Sequence, residues 1–157
     1  MDMRVRVGSA LKQAMKDKAV ERLATLRLIN AAIKDREISL RGESDGGDDP
    51  VVSDTDILTI LGKMAKQRQE SARIYEEGGR LDLAEREIAE IAVIEEFLPQ
   101  PLCAEEVSKA ISEAVASTGA QSIRDMGKVM GELKARHTGQ MDFGKVGPLV
   151  KERLCAG

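Results

Sequence analysis

An all-α fold is what this sequence predicts, and three observations carry the prediction. Aromatic residues make up only 2% of the 157 residues, so a core must be assembled from Leu, Ile, Val, Ala and Met. Charged residues make up 32% against 42% hydrophobic, the balance of helices that bury one stripe and pair charges on the others. Apolar residues recur at three- and four-residue spacing along most of the chain, with no strand-like alternation of any length.

Taken in order, residues 4–17 place Val5, Leu11, Ala14 and Met15 at helical spacing. A second helix is expected from Val20 to Ser39, with Leu23, Leu26, Ile29 and Ile33 as its inner edge. The Gly/Asp-rich stretch RGESDGGDDPVV at 41–52 reads as an exposed loop closed by Pro50. Ser53 then caps a third helix, with Asp56 as the reciprocal carboxylate of a short capping box. Its apolar stripe is Ile57, Leu61, Met64, Ala65, Ala72 and Tyr75.

Gly78-Gly79 ends that helix, because glycine accepts the left-handed conformation that helix C-termini favour. A fourth helix follows from about Leu81 to Leu98, so the third and fourth fold back as an αα-hairpin. Pro99-Gln100-Pro101 stops the helix, since both prolines lack an N–H and restrict the residue before them. The domain boundary is placed there. Residues 1–98 form an N-terminal multihelical bundle with the long hairpin, and 99–157 a small three-helix tail domain. The tail helices are expected at 104–117, at 123–136 behind Ser122 and Asp125, and at 143–154 behind Asp142.

Composition narrows the function classes. No apolar run approaches the roughly 20 residues of a membrane span. The N-terminus MDMRVRVGSALKQAMKDK is basic and amphipathic enough to resemble a transit peptide, yet it lacks a secretory h-region and reads better as a first helix. Cys103 and Cys155 lack metal-ligand spacing and fit reduced thiols in a cytoplasmic protein. The formal charge of −3 hides an asymmetry: +5 over residues 1–42, −9 over 43–98 and +1 over 99–157. The acidic middle argues against nonspecific coating of nucleic acid, while residues 120–157, at +3, leave room for local phosphate contact.

Catalytic signatures are sparse. GxxxxGK[ST] does not occur, and the glycines of MGKVMG fall inside a helical pattern. The single histidine, His137, reads as a polar group near a helix C-terminus. One histidine cannot supply the two Glu-x-x-His motifs of a carboxylate-bridged di-metal bundle. No metal, cofactor or catalytic residue is therefore expected.

Three charged constellations remain. Folding the hairpin about its glycines brings Arg68 level with residue 89 or 90, so Arg68 is expected to pair with Glu87 or Glu90 and fix the register. On the second helix Arg27, Asn30, Lys34 and Glu37 form a polar strip suited to a phosphate or a partner carboxylate. In the tail, Met126, Val129, Met130 and Leu133 form an inward face, and Gly127 and Gly131 are expected to admit close approach of another helix. Lys128 and Lys134 then point outward, and the last helix adds Lys145 and Lys151.

The segments LRLINAAIKDREI (26–38), KQRQESARIYEEGGRLDLAEREIAEIAVIEEFLPQPL (66–102) and DMGKVMGELKARHTGQMDFGKVGPLVKERL (125–154) together resemble the YqeY family of small bacterial proteins. That family is similar to the C-terminal helical and tail region of GatB, the B subunit of tRNA-dependent amidotransferases. One departure is Cys103, where a serine or threonine cap is expected.

The resemblance implies a two-part helical fold and an association with tRNA or the amidotransferase apparatus, by shape and phosphate contact. In GatB the chemistry lives in a separate cradle domain that has no counterpart in this chain. Lys128, Lys134, Arg136, Lys145 and Lys151 are the candidate contacts, with Arg27 and Lys34 as a second patch, and Lys66 and Arg80 on the hairpin. Scarce aromatics disfavour a single-strand base reader, and no DNA or membrane partner is expected. Two alternatives stand beside this reading: a protein–protein adaptor with no RNA role, and a carbon–nitrogen ligase using glutamine as amido donor.

Overall fold

The computed structural model describes residues 2–43 and 51–156, and among them every regular element is helical. Asp2 opens α1 (Met3–Lys16) by accepting the Arg4 N–H at 2.8 Å. The inward face of α1 is Met3, Val7 and Ala14. Of the stripe read from sequence, Ala14 is buried and Leu11 half-buried, while Val5 and Met15 are about half exposed. Two apolar stripes at helical spacing compete on this helix, and the partner helix selects the other one. The chain turns through Lys18, whose φ of 54° is left-handed. Ala19 donates to the Ala14 carbonyl at 3.1 Å and Lys18 to that of Met15 at 3.3 Å.

In α2 (Val20–Glu43), Leu26, Ile29 and Ile33 are fully buried. The helix runs past Ser39 because Leu40 still packs on the core and Arg36 pairs with Glu43. Residues 41–43 are thus helical rather than loop, and the rest of the Gly/Asp-rich stretch, 44–50, lies outside the described residues. Val52, just beyond, is buried in the core.

α3 (Asp54–Glu77) starts at a complete capping box: Ser53 Oγ accepts the Asp56 N–H at 3.1 Å, and Asp56 Oδ2 accepts the Ser53 N–H at 3.2 Å. Its end is a Schellman turn, with Arg80 N–H on the Tyr75 carbonyl at 2.7 Å and Gly79 N–H on that of Glu76 at 3.1 Å. Gly79 takes the left-handed position, φ 74°. α4 (Leu81–Glu95) stops three residues before Leu98. There Phe97 and Leu98 donate to Ile94 and Glu95, three residues back, and the tightened turn drives Phe97 into the core.

The chain divides into two compact units, Met1–Leu98 and Pro99–Gly157. In the first, α3 and α4 make the most extensive pairing, and α1 and α2 close the bundle. The core gathers Leu26, Ile29, Ile33, Ile57, Leu61 and Ile94, all essentially inaccessible. Each such side chain contributes about 1.5–3 kcal/mol on burial. Ala72 and Ala84 are buried along the hairpin outside that cluster. Their small side chains let the two helices pair closely.

In the second unit α6 is central, packed by both α5 (Ala104–Thr118) and α7 (Phe143–Ala156). A 3₁₀ turn, Ile123–Asp125, leads into α6 (Met126–His137), where Asp125 Oδ2 accepts the Gln121 N–H at 3.1 Å. Ala110, Ile111, Ala114, Val129, Leu133, Val146, Val150 and Leu154 form the core. Gly127 and Gly131 do not serve close approach: each lies on the outer side of α6, with no atom within 4 Å of where a Cβ would stand. The buried glycine is Gly147 on α7, against the end of Met126.

Candidate nucleic-acid interface

Most arginines of the first unit are engaged. Arg4 holds Glu37 through two hydrogen bonds, Nη1 to Oε1 at 3.0 Å and Nη2 to Oε2 at 3.1 Å. That bidentate contact joins α1 to α2 and lowers the Glu37 carboxyl pKa below its ordinary value. Arg22 reaches Glu96 at 2.6 Å, and Arg36 lies 3.8 Å from both Glu43 and Asp56. Arg6 sits over the Phe97 ring, 5.6 Å from its centroid, and donates to the Glu96 carbonyl at 3.3 Å.

Within the hairpin, Arg68 Nε stands 2.8 Å from Glu90 Oε2. The Arg68 side chain is 15% exposed and that of Glu90 28%. Arg68 also donates to the Met64 carbonyl at 3.3 Å. Glu87 is half-buried on the same helix and makes no ion pair with Arg68, so the register pairs 68 with 90. Arg80 is exposed at the hairpin tip, 3.6 Å from Asp82, and Lys66 is exposed along α3. Tyr75 is half-buried near the tip.

The polar strip of α2 does not stay together. Glu37 turns toward Arg4, and Asn30 is half-buried, whereas Arg27 and Lys34 stay exposed on the far side of the helix. The reach of α1 toward Glu37 cannot be read from the α2 sequence alone.

The tail lysines stand differently. Lys128, Lys134, Lys145 and Lys151 are all exposed. Lys128 approaches Asp125 only to 4.0 Å, at the outer limit of an ion pair. The Lys134 ammonium lies 6.0 Å from the Phe143 ring centroid. Among the described residues, Lys145 and Lys151 have no carboxylate partner. Arg136 is the exception in this unit, held by Glu132 at 2.6 Å across one turn. These lysines flank the buried faces of α6 and α7 rather than filling them, so they carry positive charge at little structural cost.

Three carboxylates of the tail, Glu106, Asp125 and Asp142, accept backbone N–H groups beside helix starts. Glu106 Oε2 accepts the Cys103 N–H at 2.9 Å, which lowers its pKa. The carboxylate half of the cap is therefore made although Cys103 replaces the expected hydroxyl residue. Asp125 is likewise lowered, first by the Gln121 N–H. His137 ends α6, half-buried, with Nδ1 3.2 Å from Gln140 Oε1. Among the described residues, no group of three or more His, Cys, Asp or Glu is placed to hold a metal ion, and no helix is long and apolar enough to cross a membrane. Cys103 and Cys155 are both free and exposed.

A family model described as "Yqey-like protein" matches residues 4–154. Among curated proteins, an uncharacterized protein of Schizosaccharomyces pombe is 39% identical over 51 residues, covering 32% of this chain and 42% of its own length. "Altered inheritance of mitochondria protein 41, mitochondrial" of Clavispora lusitaniae is 36% identical over 100 residues, 63% of this chain and 54% of that protein. The protein of the same name from Lachancea thermotolerans is 29% identical over 121 residues, 73% of this chain and 61% of that protein. The chain spans about half the length of the curated relatives it matches.

Proposed function

The chain belongs to the Yqey-like protein family, and from that premise we propose that it is an accessory module for tRNA-dependent amidotransfer, binding folded tRNA by shape and phosphate contact without a catalytic centre of its own. One observation carries the reading: the tail unit leaves Lys128, Lys134, Lys145 and Lys151 exposed and uncommitted to strong ion pairs, while Glu106 and Asp125 accept backbone N–H groups and Glu132 holds Arg136. Phosphate contacts need mobile, solvated cations and carry little sequence information. With Tyr75 and two phenylalanines as the chain's aromatics, the platforms on which single-stranded bases stack are scarce. Free, exposed Cys103 and Cys155 fit a reducing compartment, either the cytoplasm or the interior of an organelle such as the one named for the fungal relatives.

The test is a salt titration of binding to several tRNAs by the wild type and by the Lys128→Ala/Lys134→Ala/Lys151→Ala variant. Each phosphate contact contributes a slope of roughly −0.9 in log K against log salt on a duplex. The variant should bind every tRNA more weakly by a similar factor, with a slope shallower by about 2 to 3. Unchanged affinity and slope would remove the tail from the interface. Absence of wild-type binding at low salt, with a protein partner recovered after nuclease treatment, would favour an adaptor instead.

A further inference from the structure

The outer face of α2 carries large apolar side chains that the bundle leaves uncovered. Val20, Leu28 and Ile38 are 75%, 48% and 64% exposed, and Ala24 and Ala31 between them are exposed as well. The core side of the same helix, Leu26, Ile29 and Ile33, already packs inside the bundle. Exposed positions 20, 24, 27, 31, 34 and 38 alternate steps of four and three, the spacing of a helix–helix seam. The alanines at 24 and 31 permit a close interaxial approach, at the short end of the 8–10 Å range.

The charges on that face identify what fits it. Arg27 lies four residues before Ala31 and Asp35 four residues after it, both exposed, and neither has an ion partner within the protomer among the described residues. We infer that α2 is a homodimer interface in which a second copy packs antiparallel about a two-fold axis at Ala31. That axis sets each Arg27 against Asp35 of the other copy, Ala24 against Ile38, and Ala31 against itself. Lys34 falls opposite Leu28, where its aliphatic stem covers the leucine and its ammonium reaches water. A uniformly acidic partner helix would satisfy Arg27 and Lys34 but oppose Asp35, so the pattern matches its own reverse better. A self-complementary patch of this kind is what closed two-fold symmetry requires. One helix pair of this length lies near the roughly 1,000 Å² that a specific interface needs, so the titration must reach high protein concentration.

Sedimentation equilibrium on the nuclease-treated full chain, from low micromolar to several hundred micromolar, tests the inference. The wild type should dimerise, and Arg27→Asp or Asp35→Arg alone should each weaken association about tenfold or more by setting like charges together. The double swap, Arg27→Asp with Asp35→Arg, should return it to within about threefold of wild type. These positions are exposed, so circular dichroism and thermal unfolding should confirm that the fold survives.

A second measurement is geometric. In a Cys103→Ser/Cys155→Ser background, Ala31→Cys should form an intersubunit disulfide on mild oxidation. Ser39→Cys should not, because the two copies of residue 39 lie about 24 Å apart along the helix axis. A chain that stays monomeric throughout overturns the inference and leaves the face to a partner of different sequence. A double swap no better than the single variants, with no Ala31→Cys cross-link, overturns the register and with it the two-fold pairing.

Discussion

The two units use their positive charge in opposite ways. In the first, arginines predominate at the contacts, and they tie helix to helix: Arg4 to Glu37, Arg22 to Glu96, Arg36 to Asp56, Arg68 to Glu90. In the second, the exposed cations of α6 and α7 are mainly lysines, and only Arg136 is tightly held. Arginine's planar fork suits fixed bidentate geometry, whereas lysine is a mobile, hydrated point charge. The difference teaches that net charge is a poor guide here. The block with the largest positive excess, residues 1–42, commits Arg4, Arg6, Arg22 and Arg36 to contacts inside the bundle, while the nearly neutral tail exposes lysines along α6 and α7.

The largest effect expected from breaking a paired cation belongs to Arg68. Its side chain is only 15% exposed and leaves Glu90 without a partner when removed, so Arg68→Ala should destabilise the protein by about 2 kcal/mol in chemical unfolding. Arg68→Met should recover part of that loss by refilling the stripe. Equal losses would mean that packing of the Arg68 stem contributes nothing.

Next in size is the Lys18 turn. A non-glycine residue in the left-handed region costs about 1 kcal/mol, so Lys18→Gly should raise stability by up to that amount in the same assay. Gly131→Ala should add a comparable ~0.5–1 kcal/mol, because the helix gains propensity and the new methyl meets nothing. A loss at Gly131 would restore the close-approach role that the uncovered glycine argues against.

The smallest effect sharpens the comparison through pH. Glu37, Glu106 and Asp125 all have lowered folded pKa values. A lowered carboxylate contributes stability that is fully present above its unfolded pKa, near 4, and lost as pH falls through the folded value. Glu37 is lowered by an arginine side chain, whereas Glu106 and Asp125 are lowered first by backbone N–H groups. Acid unfolding followed by residue-resolved NMR should show losses in both units below about pH 4. Added salt should weaken the Arg4–Glu37 contribution at neutral pH and leave the tail caps nearly unchanged.

Local chemistry made much of the fold legible. Ser53 with Asp56, Gly78-Gly79 and Asp142 mark helix ends by groups that act on backbone within one turn, and the hairpin register follows from counting away from the glycines to Arg68 and Glu90. What could not be read depends on partners distant in sequence. Val5 and Met15 compete with Met3 and Val7 for the inside of α1, and only packing against α2 decides between them. Gly127 and Gly131 share the spacing of a close-approach motif, but their side of α6 faces open space. The strip of Arg27, Asn30, Lys34 and Glu37 looked continuous until Arg4 drew Glu37 aside. Of the candidate site, the type and position of the tail lysines were legible, while their lack of strong partners required the structure.

The central claim is that first-unit arginines build the fold and tail lysines meet phosphate. It is tested most directly by comparing two charge-matched variants, Arg4→Gln/Arg22→Gln/Arg36→Gln and Lys128→Gln/Lys145→Gln/Lys151→Gln. Each is measured for thermal stability and for the salt slope of tRNA binding. The account predicts that the arginine variant melts earlier with an unchanged slope, and that the lysine variant melts normally with a slope shallower by about 2 to 3. Equal flattening of the slope by both variants, or a stability loss confined to the lysine variant, would contradict it.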